Sequence, residues 1–270
     1  MCQMSTDFRL VADAPGWVLV MDGVAQSWLD PDDPTHLEFG YMLRMADYLD
    51  AARPRGERMR VIHVGGAAMT MARYVAARRP TSPQIVLEPN QALTEMVRCE
   101  MPLPAKSGIK VRAVDGRSGI AAMPNHYAQV VIVDAFADAQ VPAELVTVEF
   151  AAELARVLRR DGLVLFNLID IHPLGWTRRV LATLELCFPE LALSAESATL
   201  KGRRHGNLVA AASRVPLPLD QVVRRAAGSA FPFRVLHGPA LQQFMGRPEP
   251  FTDLDAEPSP SVERGLRYFE

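Results

Sequence analysis

The sequence predicts an α/β domain on a mostly parallel sheet, preceded by a small β element. Three observations carry this. From residue 60 onward, apolar runs of strand length alternate with amphipathic helical patterns. The runs are apolar throughout, as strands covered on both faces are. The first thirty residues instead form short β-rich segments joined by turn signals. A chain of 270 residues, 49% of them hydrophobic, is long enough to bury a core without disulfide or metal.

The elements follow in order. Phe8–Ala12 and Trp17–Met21 are short β segments separated by Asp13-Ala14-Pro15-Gly16, and Asp22-Gly23 turns the chain into Val24–Leu29. Asp30-Pro31-Asp32-Asp33-Pro34 breaks the pattern. Thr35 with Glu38 forms a capping-box pair, so a helix is expected over 36–52, with Leu37, Tyr41, Met45 and Tyr48 on one face. Strands are then expected at Arg60–Val64, Gln84–Leu87, Ile109–Val114, Gln129–Val133 and Leu163–Ile169. Helices are expected at Ala67–Arg79, Asn90–Met101, Pro142–Arg160 and Leu174–Phe188. Leu191–Leu200 and Asn207–Ala212 read as an antiparallel hairpin around the basic loop Lys201–Gly206, and Asp220–Gly228 as a short helix. The stretch from Pro248 is rich in Pro and Asp and reads as irregular. The expected organisation is a β element over 1–34, the α/β domain over 35–247 and a tail over 248–270.

Composition excludes several classes. The net charge is −2, so no basic excess calls for nucleic acid. No run approaches the length of a membrane span, and the N-terminus lacks the basic-then-apolar pattern of a signal peptide, so a cytoplasmic, soluble protein is expected. Cys2, Cys99 and Cys187 are too far apart for a zinc knuckle, and the latter two read as small buried hydrophobes. His63 lies inside a strand and reads as a packing residue. His172, His205 and His237 have no ligand spacing, so no metal is expected. Neither a Gly-x-Ser-x-Gly nor a Walker sequence is present.

In open parallel sheets, ligands sit beyond the carboxyl ends of the strands. Here those ends read Gly65-Gly66, Glu88, Asp115-Gly116 and Asp134. The glycines let backbone approach a ligand, or simply make a tight turn. Glu88 follows the glycines by the interval at which a ribose-binding acid is expected, and a helix-start acid is the other reading. Asp115 can accept from an exocyclic amine, and Asp134 can act as a general base or amine anchor; either can instead be a turn former. Together the four ends read as an adenosyl-cofactor pocket of the methyltransferase type.

Specific motifs narrow this reading. Asp22-Gly23-Val24-Ala25-Gln26 matches an Asp-Gly-x-x-Gln motif, and Glu38-Phe39-Gly40-Tyr41 a Glu-Phe-x-Tyr motif, both ahead of the strand-end residues. In this order they resemble the spermidine synthase (polyamine aminopropyltransferase) family over about residues 7–213. Asp134-Ala135-Phe136 with Val141-Pro142, Leu145 and Thr147 resembles a spermidine synthase-like branch common in bacteria. The resemblance implies a Rossmann-like methyltransferase fold with a seven-stranded, mostly parallel sheet, and a homodimer. It implies that Gln26, Gly65, Gly66, Glu88, Asp115 and Gly116 bind the cofactor, that Tyr41 and Asp138 lie on the substrate side, and that Asp134 is the catalytic base. The cofactor would be decarboxylated S-adenosylmethionine or S-adenosylmethionine, without a metal, and the partner a small-molecule amine.

The departures are equally specific. Ala68 stands where the family's glycine motif has an Asp, Ala137 where its strand-four motif has a second Asp, and Met42 where it has a His. A diamine dication needs carboxylates to replace its water, so the missing acids argue against efficient putrescine transfer. Three functions follow: an aminopropyltransferase-like enzyme, an S-adenosylmethionine-dependent methyltransferase, and a non-catalytic nucleoside-binding homologue.

Overall fold

The computed structural model describes residues 8–229 and 233–261. A three-stranded antiparallel meander comes first: β1 (Phe8–Asp13), β2 (Gly16–Met21) and β3 (Val24–Leu29). Between Leu19 and Val20 the pairing with β3 slips, leaving Gln26 as the extra residue of a bulge. Bulges re-aim a side chain relative to its neighbours.

The main sheet comprises β4 (Val61–Val64), β5 (Gln84–Leu87), β6 (Ile109–Arg112), β7 (Ala128–Val133), β8 (Leu158–Asp170), β9 (Glu190–Glu196), β10 (Gly206–Ser213) and β11 (Phe233–His237). The strand order is β11-β9-β10-β8-β7-β4-β5-β6. The run from β8 to β6 is parallel, and β10, β9 and β11 add on antiparallel. The sheet thus has eight strands where seven are expected. The eighth, β11, is an edge strand with only Phe233 buried, so it lacks the continuous apolar run of the inner strands.

Alternate residues of the central strands enter different cores. Ile62, Val64, Val131 and Val133 pack with helices α4 (Gly116–Ala121), α5 (Val148–Val157), α6 (Gly175–Glu185) and α9 (Gly238–Met245). Val61, Val130 and Ile132 pack with α1 (Gly40–Ala52), α2 (Thr70–Arg78) and α8 (Leu219–Ala227). The remaining helices are α3 (Gln91–Glu100), capped by the Asn90 side chain, and the short α7 (Ser197–Leu200). Met42, Met45, Met69 and Met71 are all buried. His63 is also buried, its Nε2 2.8 Å from Gln84 Oε1, and burial pushes its pKa down to about 4. Cys99 is exposed on α3, contrary to the expectation of a buried hydrophobe, because it falls outside the face carrying Leu93 and Val97.

Two helix boundaries differ from expectation. The first helix begins at Gly40, not near residue 36, and Thr35 does not cap it. The Thr35 hydroxyl and amide both donate to Asp33 (2.7 and 2.9 Å), while Asp30 accepts the amides of Asp32 and Asp33. These local turns hold the backbone away from helix. The helix expected over Pro142–Arg160 is a 3₁₀ turn at Ala143–Leu145 followed by α5, and Leu158 already belongs to β8.

Two sets of contacts position the elements of the site. At the C-terminal end of α1, Asp50 pairs with the fully buried Arg79 (3.0 Å), whose guanidinium also donates to the carbonyls of Leu49 and Arg53. Tyr48 of α1 bonds Ser194 of β9 (2.8 Å). The β meander is pinned to α2: Thr70 donates its one hydroxyl proton to the Trp28 carbonyl (2.9 Å) and accepts from the Ser27 hydroxyl (2.8 Å). Leu19 and Leu29 bury against Ala68, Met69 and Ala72.

Residues 248–261 contain neither helix nor strand, yet they are docked. Phe251 is fully buried; its amide donates to Thr183 and its carbonyl accepts from Val148. Asp253 pairs with Arg117 and Asp255 with Arg179. Ser259, also fully buried, exchanges hydrogen bonds with Val141: its hydroxyl accepts the Val141 amide (2.9 Å) and its amide donates to the Val141 carbonyl (3.1 Å). Phe251→Ala is expected to cost about 3–5 kcal/mol in equilibrium denaturation. A midpoint equal to wild type would mean that this segment does not contribute to the core.

Candidate active site

The carboxyl ends of β7, β4, β5 and β6 lie side by side, so Asp134, Gly65-Gly66, Glu88 and Asp115-Gly116 gather at one edge of the sheet. The glycines permit this by their lack of a side chain. Gly65 has φ +90°, and a Cβ there would lie 2.2 Å from the Asp134 carbonyl oxygen. A Cβ on Gly116 would lie 2.2 Å from Val64 Cγ1. The first approach brings the glycine turn against the end of β7; the second brings α4 onto the end of β4.

Glu88 holds the glycine turn in place. One carboxylate oxygen accepts the amides of Gly66 (3.0 Å) and Ala67 (3.4 Å), and the other accepts the amide of Asn90 (2.9 Å). A carboxylate offers about four acceptor positions, so a diol arriving here would take the remaining one and displace the long bond to Ala67. Asp115 is the N-cap of α4: its side chain accepts the Ser118 amide (2.8 Å), and that bond holds its pKa below the usual carboxylate range. Asp115 thus caps a helix, where the alternative reading was a turn former, and its carboxylate is exposed at the same sheet edge.

Asp134 sits at the centre of a polar chain. Tyr41, in the first turn of α1, donates its hydroxyl to one carboxylate oxygen (3.3 Å). Asn167 of β8 donates its side-chain amide to the other (2.8 Å), and Asn207 of β10 donates to the Asn167 side-chain oxygen (2.9 Å). In the β8–β10 register Asn167 faces Val209, so Asn207 is its diagonal neighbour. Burial pushes the Asp134 carboxyl up to about 6, against the lowering effect of the Asn167 and Tyr41 hydrogen bonds. Burial and the neighbouring Asp134 charge push the Tyr41 hydroxyl well above its ordinary value, so it remains a donor.

Two expected site residues stand apart from this chain. Gln26 is on the bulge of β3, next to the Ser27–Thr70 contact that joins the meander to the start of α2. Asp138 has φ +52° at the tip of an exposed two-residue turn, closed by mutual backbone bonds of 2.9 Å between Ala137 and Gln140. It makes no hydrogen bond to the Asp134 chain. Sequence reading missed Asn167 and Asn207. A polar amide inside the apolar run Leu163–Ile169 was the available signal for Asn167, because a buried amide needs partners. Asn207 follows a basic loop and carried no such signal. Among the described residues, no three His, Cys, Asp or Glu side chains come together as a metal site. None of the described helices is long and apolar enough to cross a membrane.

The raised Asp134 pKa has a consequence for stability. Its folded-state value of about 6 lies above the ordinary 3.8. The folded chain therefore binds this proton more tightly than the unfolded chain. The stability this site contributes falls as pH rises through that window and stays low above it. Asp134→Asn removes the cost of burying the charge. It is expected to stabilise the fold at pH 8 by on the order of 1–3 kcal/mol, with the gain shrinking toward pH 4, as read by denaturation at both pH values. A variant less stable than wild type at pH 8 would contradict the assignment.

No family model and no curated protein sequence matches the chain. Solved structures do. The chain is 28% identical to a probable spermidine synthase from Corynebacterium glutamicum, with a TM-score of 0.86 over 93% of this chain and 94% of that one. Spermidine synthase from Thermotoga maritima aligns at 17% identity and TM-score 0.59, over 80% of this chain and 72% of that one. Human methyltransferase-like protein 13, solved with SAH, aligns at 20% identity and TM-score 0.58, over 80% of this chain and 96% of that one. The latter two show likeness of fold alone. Over nearly its whole length the chain thus resembles a probable spermidine synthase, on an α/β methyltransferase-like fold.

Proposed function

We propose that the chain is a transferase that binds an adenosyl sulfonium and transfers its aminopropyl group to an amine. The observation that carries this reading is the setting of Asp134: a carboxylate with a raised pKa, held only by uncharged donors, beside the glycine turn that Glu88 buttresses. The amine nitrogen attacks the aminopropyl carbon next to sulfur. The carbon–sulfur bond breaks, its electron pair leaves with sulfur, and neutral methylthioadenosine departs. Asp134 takes the proton that the amine loses. Since the sulfonium is already a good leaving group, the protein's share is proximity and a deprotonated amine.

One observation favours a second reading, methyl transfer from S-adenosylmethionine. Ala68 is fully buried among apolar side chains, so no acid at that position grips the free amine of an aminopropyl tail or repels a carboxylate. Calorimetry with S-adenosylmethionine, its decarboxylated form and methylthioadenosine separates the two. Tighter binding of the carboxylated form would overturn aminopropyl transfer, and binding of none of the three would leave a non-catalytic homologue.

Two variants test the residue roles. Asp134→Asn is expected to lower amine-dependent release of methylthioadenosine by about 10²–10⁴-fold while nucleoside affinity holds; unchanged turnover would refute the base. In wild type the same rate should fall as pH drops below about 6, where Asp134 takes up its proton. Glu88→Ala is expected to weaken nucleoside binding by about 1–3 kcal/mol, and equal affinity would remove Glu88 from the nucleoside site.

A further inference from the structure

The proposed chemistry uses Asp134 and leaves unexplained the two asparagines stacked behind it. Asn167 is 2% exposed, on a strand whose neighbours Phe166 and Leu168 are buried apolar residues. A side-chain amide has two faces. Its NH₂ turned to Asp134 stabilises an ionised carboxylate; its oxygen turned to Asp134 stabilises a protonated one. Volume and shape are nearly the same either way, so packing alone does not choose. The choice falls to whatever bonds the opposite face of Asn167, and that is Asn207, whose NH₂ donates to the Asn167 oxygen at 2.9 Å.

We propose that Asn207 is a positioning residue: by occupying the oxygen of Asn167 it keeps the Asn167 NH₂ on Asp134, and so keeps Asp134 an acceptor. The chain then has one polarity. Asn207 donates to Asn167, Asn167 donates to one carboxylate oxygen, and Tyr41 donates to the other. Bonds aligned in this way polarise and strengthen each other. No charged donor takes part, which matters for a base: a cation in the place of Asn167 would hold the carboxylate ionised too firmly to accept a proton.

The titratable groups around Asp134 leave this role to the amides. Tyr41, from α1, is held protonated. Glu88, beyond the glycine turn, is bonded to the Gly66, Ala67 and Asn90 amides. Asp170, at the end of β8, is bonded to the Ile171 and Thr177 amides. Asp138 is on its exposed turn. None of these donates to the Asn167 oxygen.

The consequence for turnover rests on the proposed role of Asp134 as base, but the test does not. Titration of the Asp134 carboxyl carbon by NMR in the full chain, its signal assigned by its loss in Asp134→Asn, reads the proton affinity directly. Asn207→Leu removes the donor without adding charge and is expected to raise the midpoint by about half a unit, a roughly threefold gain in proton affinity. Asn207→Asp offers only an acceptor, draws the Asn167 NH₂ away, and is expected to raise it by about one unit or more, tenfold. Should either fail to fold, Asn207→Ala, smaller and without a side-chain donor at a half-buried position, carries the same expectation as the leucine variant. A midpoint equal to wild type in folded variants would overturn the proposal. Absence of turnover in wild type would instead overturn the proposed function and leave this titration intact. Where turnover is present, the acid limb of kcat/KM should move upward with the midpoint.

Discussion

The site depends on how closely two parallel strand ends approach. Val64 at the end of β4 accepts the amide of Asp134, and Gly65, the next residue, donates its own amide to Leu87 on the other side. The chain must then turn away directly under the Asp134 carbonyl, which occupies the place where a Cβ of residue 65 would be. Glycine is the residue that can do this, both for its positive φ and for the missing carbon. The same strand end receives α4 through Gly116, and Gly66 lies against Val86 and Glu88. Backbone approach around one strand end thus brings together acids that are far apart in sequence.

Two carboxylates, Asp50 and Asp134, show what distinguishes structure from chemistry here. Asp50 is surrounded by Arg79, Arg55 and the Tyr74 hydroxyl, and these hold its pKa below the ordinary value in spite of burial. It joins α1 to α2 and is matched in charge. Asp134 has comparable surroundings in polarity but none in charge: two amides in series and a phenol. Its pKa moves the opposite way. A carboxylate left unmatched in this way is a cost to the fold, and such groups concentrate where a proton has to be exchanged. The network at Asp50 serves the site indirectly, since it fixes the helix whose first turn carries Tyr41.

The parallel half of the sheet was legible in the sequence because its strands are buried on both faces and read as unbroken apolar runs. The same logic explains what was not legible. β11 buries one side chain of five, and the segment 248–261, which reads as irregular and has neither helix nor strand, docks through Phe251 and Ser259 among polar and proline residues. Thr35 and Glu38 fit a capping pattern, but Asp33 competes for Thr35 at shorter range. At the site, the acids and glycines at strand ends were visible because topology alone places them. Asn167 and Asn207 were not, because their partnership depends on antiparallel register between strands forty residues apart.

The absence of an acid at Ala68 follows from the same packing that builds the site. The β meander docks on the start of α2 through Leu19, Leu29 and the Thr70 hydroxyl, and Ala68 lies fully buried within that contact. Its carbonyl is taken by the Arg73 guanidinium, which also bonds the carbonyls of Met101 and Pro102 at the end of α3. A carboxylate in place of the Ala68 methyl would be enclosed by apolar side chains, and an uncompensated charge there would cost several kcal/mol. Ala68 is therefore part of the apolar packing between the meander and α2. In the proposed reading, the nucleoside end of the site at Glu88 and the proton-accepting end at Asp134 are both polar. With Ala68 enclosed in that packing, an acid there does not select the group transferred, and Asp134 is the charge that meets the incoming nucleophile.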